Sequence, residues 1–299
     1  MPRATLGAMT ACVNPESLRQ LIERAVPDAA FRAFCEQLER LQPDFKLPAF
    51  LAAFTATART LGRKPLGADD VCIAGASGDL PLAGTTTDVA GRVLLLCTLA
   101  QAAPQQLPAA VKAAYEEGDS HEKLAVMRAL PLLPEAERFV EIALDIGRCN
   151  ELELFSSLAA HNPYPSRHYN ELAWNKLYMK AVFIDVPLAQ MIGVEARHNA
   201  ELARMALEYV EQQESAGRRF PNEIWQVIAA HPPKGAIGKL LGYLSHAVAE
   251  LRLGAAAGLE RAEQARTLSF LQERASLETD ERVRAVVERT IHKLEKQRS

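Results

Sequence analysis

Two histidines and a carboxylate, His161, His168 and Glu171, stand close together in a stretch reading His-Asn-Pro-Tyr-Pro-Ser-Arg-His-Tyr-Asn-Glu. Such a set is chemically adequate to ligate zinc, or to move a proton through a His–Glu pair. The spacing H-x6-H-x2-E matches no established metal motif, however. The same residues can serve the backbone instead. His161 would then cap the preceding helix, and His168 or Glu171 would satisfy main-chain groups freed by the prolines. Between these readings lies a non-catalytic pocket or docking surface built from Tyr164, Arg167, His168, Asn175 and Lys180.

The elements that must position these groups are a proline corner and a helix. Asn162 and Tyr164 each precede a proline, which pushes both toward extended backbone. The helix that follows is rich in aromatic and polar residues. If it begins near Arg167, then His168, Glu171 and Asn175 share an arc of about 60°, with Trp174 across the helix. If Asn170 is the cap, His168 leaves the helix and the arc shrinks to Glu171 and Asn175.

Other chemistry is thinner. Gly75-Ala76-Ser77-Gly78 could mimic a phosphate loop, but no strand is evident before it and no G-K-[ST] follows. Arg148, beside Asn150, could reach a ligand or pair with Glu151 or Glu153. No serine occupies a G-x-S-x-G elbow. The five cysteines (Cys12, Cys35, Cys72, Cys97, Cys149) form no C-x-x-C pair and read as reduced, small hydrophobes. No cofactor is expected.

Around these residues the chain has 34 basic and 37 acidic side chains, a net charge of −3, which disfavours a nucleic-acid surface. The start, Met1–Leu6, lacks a targeting pattern, and the apolar run Val93–Leu96 is far below the ~18–20 residues that span a bilayer. A cytoplasmic, soluble protein is expected. Three- and four-residue apolar steps recur almost everywhere: Leu18, Leu21 and Ile22; Phe31, Phe34, Cys35, Leu38 and Leu41; then Pro48 opening a helix that Gly62 ends. Ser120 is a candidate N-cap, as is Asn150 with Glu153 three residues on.

These patterns predict an all-α fold, an irregular HEAT-like array of helical hairpins (an α-solenoid). The expected partition is N-terminal helices over 1–61, a Gly/Thr-rich loop over 62–91, and the array over 92–299, closed by a helical hairpin at 255–297. Few bulky apolar residues mark the loop, which favours disorder there.

The residues also resemble a known family. Arg148-x-Asn150, Ala159-x-x-Asn162-Pro163-Tyr164-Pro165 and Trp174-Asn175-x4-Lys180-Ala181-x-Phe183 look like the EboA family of bacterial metabolite-traffic proteins. So do Gly91-Arg92-Val93-Leu94-Leu95-Leu96, Asn199-x-Glu201-Leu202-Ala203-x-Met205-Ala206, Ala216-Gly217-Arg218 and Pro221-x3-Trp225, so that the likeness covers roughly residues 88–230. Tyr178-Met179 stands where the family tends to be aliphatic. The resemblance implies a cytoplasmic helical protein that assists the movement of secondary-metabolite precursors, with no established catalytic residues. It also implies partners from the same pathway, among them a membrane prenyltransferase-like protein.

The function expected is therefore binding of a small metabolite or of pathway proteins. Tyr164 and Trp174 would supply stacking area, and Arg167, Asn175 and Lys180 polar recognition. The competing expectation is an isomerase or lyase acting on a prenylated or aromatic precursor through His161, His168 and Glu171.

Overall fold

The computed structural model describes residues 11–41 and 46–298. Met1–Leu6, read above for a targeting pattern, lie outside them. The fold is all-α and forms two compact units. The first takes in the described residues up to Trp174 with Gln190–Ile192, and the second Asn175–Ala189 with the residues from Gly193. No helix among the described residues is long and apolar enough to cross a membrane.

The first unit opens with α1 (Pro15–Ala25), α2 (Asp28–Glu39) and α3 (Leu47–Leu61). Asn14 caps α1 by accepting the Ser17 N–H at 3.1 Å, and Gly62 ends α3 at φ 75. After the Gly-rich segment come α4 (Thr87–Ala102), α5 (Leu107–Glu116), α6 (Ser120–Ala129), α7 (Val140–Arg148) and α8 (Leu152–Ala159). Helices α4, α6 and α8 lie side by side in that order, while α3 packs on α4 and α5 on α3, α4 and α6. Every residue of α4 from Thr87 to Cys97 is buried; the apolar stretch Val93–Ala102 predicts burial all round, which holds through Cys97 and at Leu99, while Gln101 is exposed. Its two charges neutralise one another: Arg92 donates to Asp88 Oδ2 at 2.7 Å, with the carboxylate of Glu122 at 3.8 Å.

Two start signals fall elsewhere than expected. Helix α6 is capped by Asp119, which accepts the Glu122 N–H at 2.8 Å while Glu122 accepts the Asp119 N–H at 2.9 Å. This reciprocal box beats Ser120, whose hydroxyl goes to Glu151 instead. Helix α8 begins after Glu151 with no side-chain cap, so Asn150 and Glu153 form no box.

Residues 62–86 are non-helical, as predicted, but the expectation of disorder is wrong. The segment is a folded strap. It carries β2 (Val71–Ile73), paired in parallel with β1 (Ala11–Val13) and antiparallel with β3 (Leu80–Pro81). Leu66, Ala68, Cys72, Ile73, Leu80 and Leu82 are all buried. Each of the buried leucine and isoleucine side chains among them adds about 2 kcal/mol. The threonine run has a bond for each hydroxyl. Thr85 accepts from Arg128, Thr86 donates to Asp88 at 2.6 Å, and Thr87 donates to Gly62 O at 2.8 Å. Strands of two and three residues are too short to leave a two-residue alternation in the sequence.

The second unit contains α11 (Ala200–Ser215), α12 (Ile224–Ala230), α13 (Ala236–Tyr243), α14 (Ala249–Ala262), α15 (Leu268–Leu277) and α16 (Glu281–Arg298). Helix α14 packs between α12 and α16. The close approach depends on Gly258, where a Cβ would meet Leu240 Cδ2 at 3.0 Å and Trp225 Cβ at 3.2 Å. The terminal hairpin is α15 with α16, shorter than the expected 255–297, because Leu259 belongs to α14. The α15–α16 turn is held by Glu278, which is buried and accepts Arg252 Nη2 at 2.7 Å and Nε at 2.9 Å. The N–H groups of Thr279 and Asp280 both lie at 2.9 Å from the same carboxylate.

The Arg252 bonds, together with these backbone donors, pull the Glu278 carboxyl down to about 2, against 4.5 for an ordinary glutamate. A depressed carboxyl stabilises the fold above its unfolded value and loses that contribution as pH falls through its folded one. In urea unfolding, Glu278 is therefore expected to account for about 3 kcal/mol of the stability that the native protein loses between pH 4.5 and pH 2. The same acid interval should cost Glu278→Gln markedly less.

Candidate functional site

The proline corner does not open toward solvent. Asn162, Pro163, Tyr164 and Pro165 are all buried. The Asn162 amide donates to Met127 O and Ser157 O, both at 3.0 Å, and its oxygen accepts the Tyr164 N–H at 3.0 Å. Tyr164 donates its hydroxyl to Ala136 O at 2.6 Å. Tyr164 is not extended but begins the short helix α9 (Tyr164–His168), since a proline at the second helical position costs no hydrogen bond. Satisfaction of the main chain falls to Asn162 and Tyr164, not to His168 or Glu171.

The strap docks on this corner. Ser77 donates its N–H to Pro131 O at 2.9 Å, and its hydroxyl lies 2.7 Å from His168 Nε2. A side chain at Gly75 would meet Pro131 O at 2.6 Å, so only glycine allows the approach. The imidazole of His168 leans on the Tyr164 ring, centroids 4.5 Å apart. Burial, with the Arg167 charge, keeps His168 below its usual range against an opposing pull from Glu137. A serine and histidine at this distance have the geometry of a nucleophile with its base. The amides that would stabilise an oxyanion are spent, however: Ser77 N–H on Pro131, and Gly78 N–H on Gly75 O at 3.2 Å. The contact is a pin between strap and corner.

The remaining residues named from sequence do not converge. Helix α10 (Glu171–Phe183) starts behind Asn170, whose side chain accepts the Ala173 N–H at 2.8 Å, so His168 is outside it. Glu171 and Arg167 are exposed. Trp174 is buried in the first unit, while Asn175 and Lys180 belong to the second. Asn175 is buried and exchanges two amide bonds with Asn199, the cap of α11, at 3.1 and 2.9 Å. Asn150 is exposed, and Arg148 forms an exposed ion pair with Asp145 at 3.2 Å rather than with Glu151 or Glu153. Such a pair contributes little. Among the described residues no three imidazole, thiol or carboxylate groups gather as metal ligands. Cys35, Cys72, Cys97 and Cys149 are thiols, and burial raises that of Cys97 to about 12.

One expected residue does line a cavity. His161 follows α8 in left-handed backbone, φ 52, and donates its N–H to Gln190 O at 2.8 Å. It borders a hollow of about 250 Å³ in the first unit, enclosed by the strap at Thr85 and Thr86, by α6 at His121 and Arg128, and by α8 at Glu153 and Ser156. Arg128 is the residue that sequence reading missed. Its guanidinium is buried and donates to His161 O at 2.8 Å, to Thr85 Oγ1 at 3.3 Å and to Pro81 O. Desolvation lowers it to about 10, still protonated at neutral pH. Burial, and the charge of Arg128, hold His161 below its ordinary value.

A signal for Arg128 exists in the sequence. It interrupts Ala125-Val126-Met127 and Ala129-Leu130, and no acidic residue stands three or four positions away. Arg92, by contrast, has Asp88 four residues earlier. Two larger hollows are chemically poorer. One of about 520 Å³ beside α1, α2 and α4 is bordered by Arg19 and by Glu16, Glu23 and Glu39, all exposed. Another of about 480 Å³ beside Pro232 and Pro233 in the second unit has only the exposed Lys234 and Arg266 as charged lining.

A family model described as metabolite traffic protein EboA matches residues 15–229. The match reaches further toward the N-terminus than the motifs above and encloses every residue of the cavity at Arg128. No curated protein and no solved structure matches the chain.

Tyr164→Phe is expected to lower stability by about 1–2 kcal/mol, since Ala136 O loses its buried donor. Thermal unfolding reads the loss. Because Tyr164 does not border the cavity, small-molecule retention should stay at the native level.

Proposed function

This chain belongs to the EboA family of metabolite traffic proteins, and on that premise we propose that it is a non-catalytic binding component that holds a small metabolite in the cavity at Arg128. One observation carries the reading: a buried guanidinium, hydroxyls and two imidazoles border a single hollow of about 250 Å³ with no activated nucleophile beside it. Typical ligand cavities are apolar with a few convergent polar groups, and Val89, Leu124 and Ala160 supply the apolar part here.

The cavity is smaller than the ~300 Å³ at which drug-sized ligands are usually enclosed. It suits a small molecule or the head of a larger one. A carrier of this kind acts in the cytoplasm and passes its load to proteins of the same pathway, the membrane prenyltransferase-like protein among them. The exposed Arg167 of α9 and Glu171 at the start of α10 remain available to such a partner.

The test is retention without turnover. Native protein from cells running the pathway should release, on denaturation, a small molecule detectable by mass spectrometry, its mass unchanged after long incubation with the protein. Ser156→Phe, which fills the hollow from α8, should fold normally and release none. Equal recovery from both proteins, or steady conversion of the molecule, would overturn the reading.

A further inference from the structure

Three arginines are buried among the described residues, Arg92, Arg128 and Arg252. Two of them are matched by carboxylates, Arg92 by Asp88 and Arg252 by Glu278, each at 2.7 Å. Arg128 has only neutral acceptors: two main-chain carbonyls and a threonine hydroxyl. Its solvent exposure is 6%, so water does little to disperse the charge. A buried cation without an anion carries a large desolvation penalty. This one borders an open hollow, where a bound anion would relieve that penalty.

The lining also limits what the anion can be. Arg128 is the one arginine or lysine that borders the cavity. Burial and the Arg128 charge disfavour protonation of His161. The single carboxylate, Glu153, sits exposed at the rim and repels additional negative charge. One compensating charge fits a monoanion, whereas a phosphate ester or diphosphate calls for two or more cations. A second polar group points the same way: His121 borders the hollow, and its Nδ1 is buried without a hydrogen-bond partner.

We infer that the cavity binds the carboxylate of a small monocarboxylic acid, with Arg128 as its counter-ion and His121 and Ser156 as supporting polar contacts. The inference rests on the cavity being the metabolite site proposed above, and it adds the ligand's chemical class. The acid's apolar body lies against Val89, Leu124 and Ala160. No bond is made or broken.

Calorimetric titration with benzoate, benzamide and inorganic phosphate tests this on the full chain. Benzoate should bind saturably and raise the melting temperature. Its neutral isostere benzamide should bind at least about tenfold more weakly, because it lacks the charge that Arg128 requires. Phosphate should also bind at least about tenfold more weakly than benzoate. Ser156→Phe should abolish the benzoate response while keeping the native circular dichroism. Arg128→Gln also removes the bonds to the strap, so the probe series and Ser156→Phe decide the outcome. Benzamide equal to benzoate, phosphate tighter than benzoate, a response that survives Ser156→Phe, or no response to any probe would each overturn the inference. A metabolite retained by native protein and lost from Ser156→Phe would leave the carrier reading standing in any of those cases.

Discussion

The Arg128 guanidinium binds the strap to the helical array from both sides. Arg128 rises from α6 and holds Pro81 and Thr85 on one side and His161, in the left-handed turn after α8, on the other. Deleting it would leave two buried carbonyls and a hydroxyl without their donor, at a cost of about 3–5 kcal/mol. The same side chain places a positive charge at the wall of the hollow that the strap helps to enclose. Structural closure and the charge at the cavity wall thus rest on one residue.

The other two arginines buried among the described residues differ from Arg128 in charge compensation. Arg92 sits within a closed circuit, with Asp88 at 2.7 Å and Phe54 O at 3.0 Å, and Glu122 close by. Arg252 is equally closed through the two oxygens of Glu278. Both circuits are internally neutralised and hold helices together without needing anything from outside. Arg128 is hydrogen-bonded but not neutralised, a state that folding alone does not require.

Two oddities of the chain account for each other. The Asn-Pro-Tyr-Pro corner looks like a site because it breaks helical rhythm and carries polar heads. Those heads are spent on carbonyls of α6, α8 and the turn at Ala136. The Gly-rich strap looks loose because it lacks bulky anchors, yet its glycines let it lie against this corner, with Ser77 pinned to His168. Each segment supplies the surface that orders the other. The family match, which spans both, places this arrangement in a protein of metabolite traffic.

The amino-acid sequence by itself determined the all-α architecture, the burial of the apolar run in α4, the ends of α3 and the family, because helical periodicity and capping are local and repeat over many residues. It also marked His161, as a helix cap, a binding residue or a group for metal or proton chemistry, but not for its place beside Arg128. Only the tertiary structure decided that the strap is ordered, that Tyr164 and Asn162 face inward, and that Asn175 pairs with Asn199. Those outcomes depend on partners distant along the chain: Ser77 meets His168 and Arg128 meets Pro81. Hydrogen bonds of that reach leave no period in the sequence. Whether an arginine is neutralised or left charged at the wall of a cavity is settled by which carbonyls and carboxylates the fold brings to it.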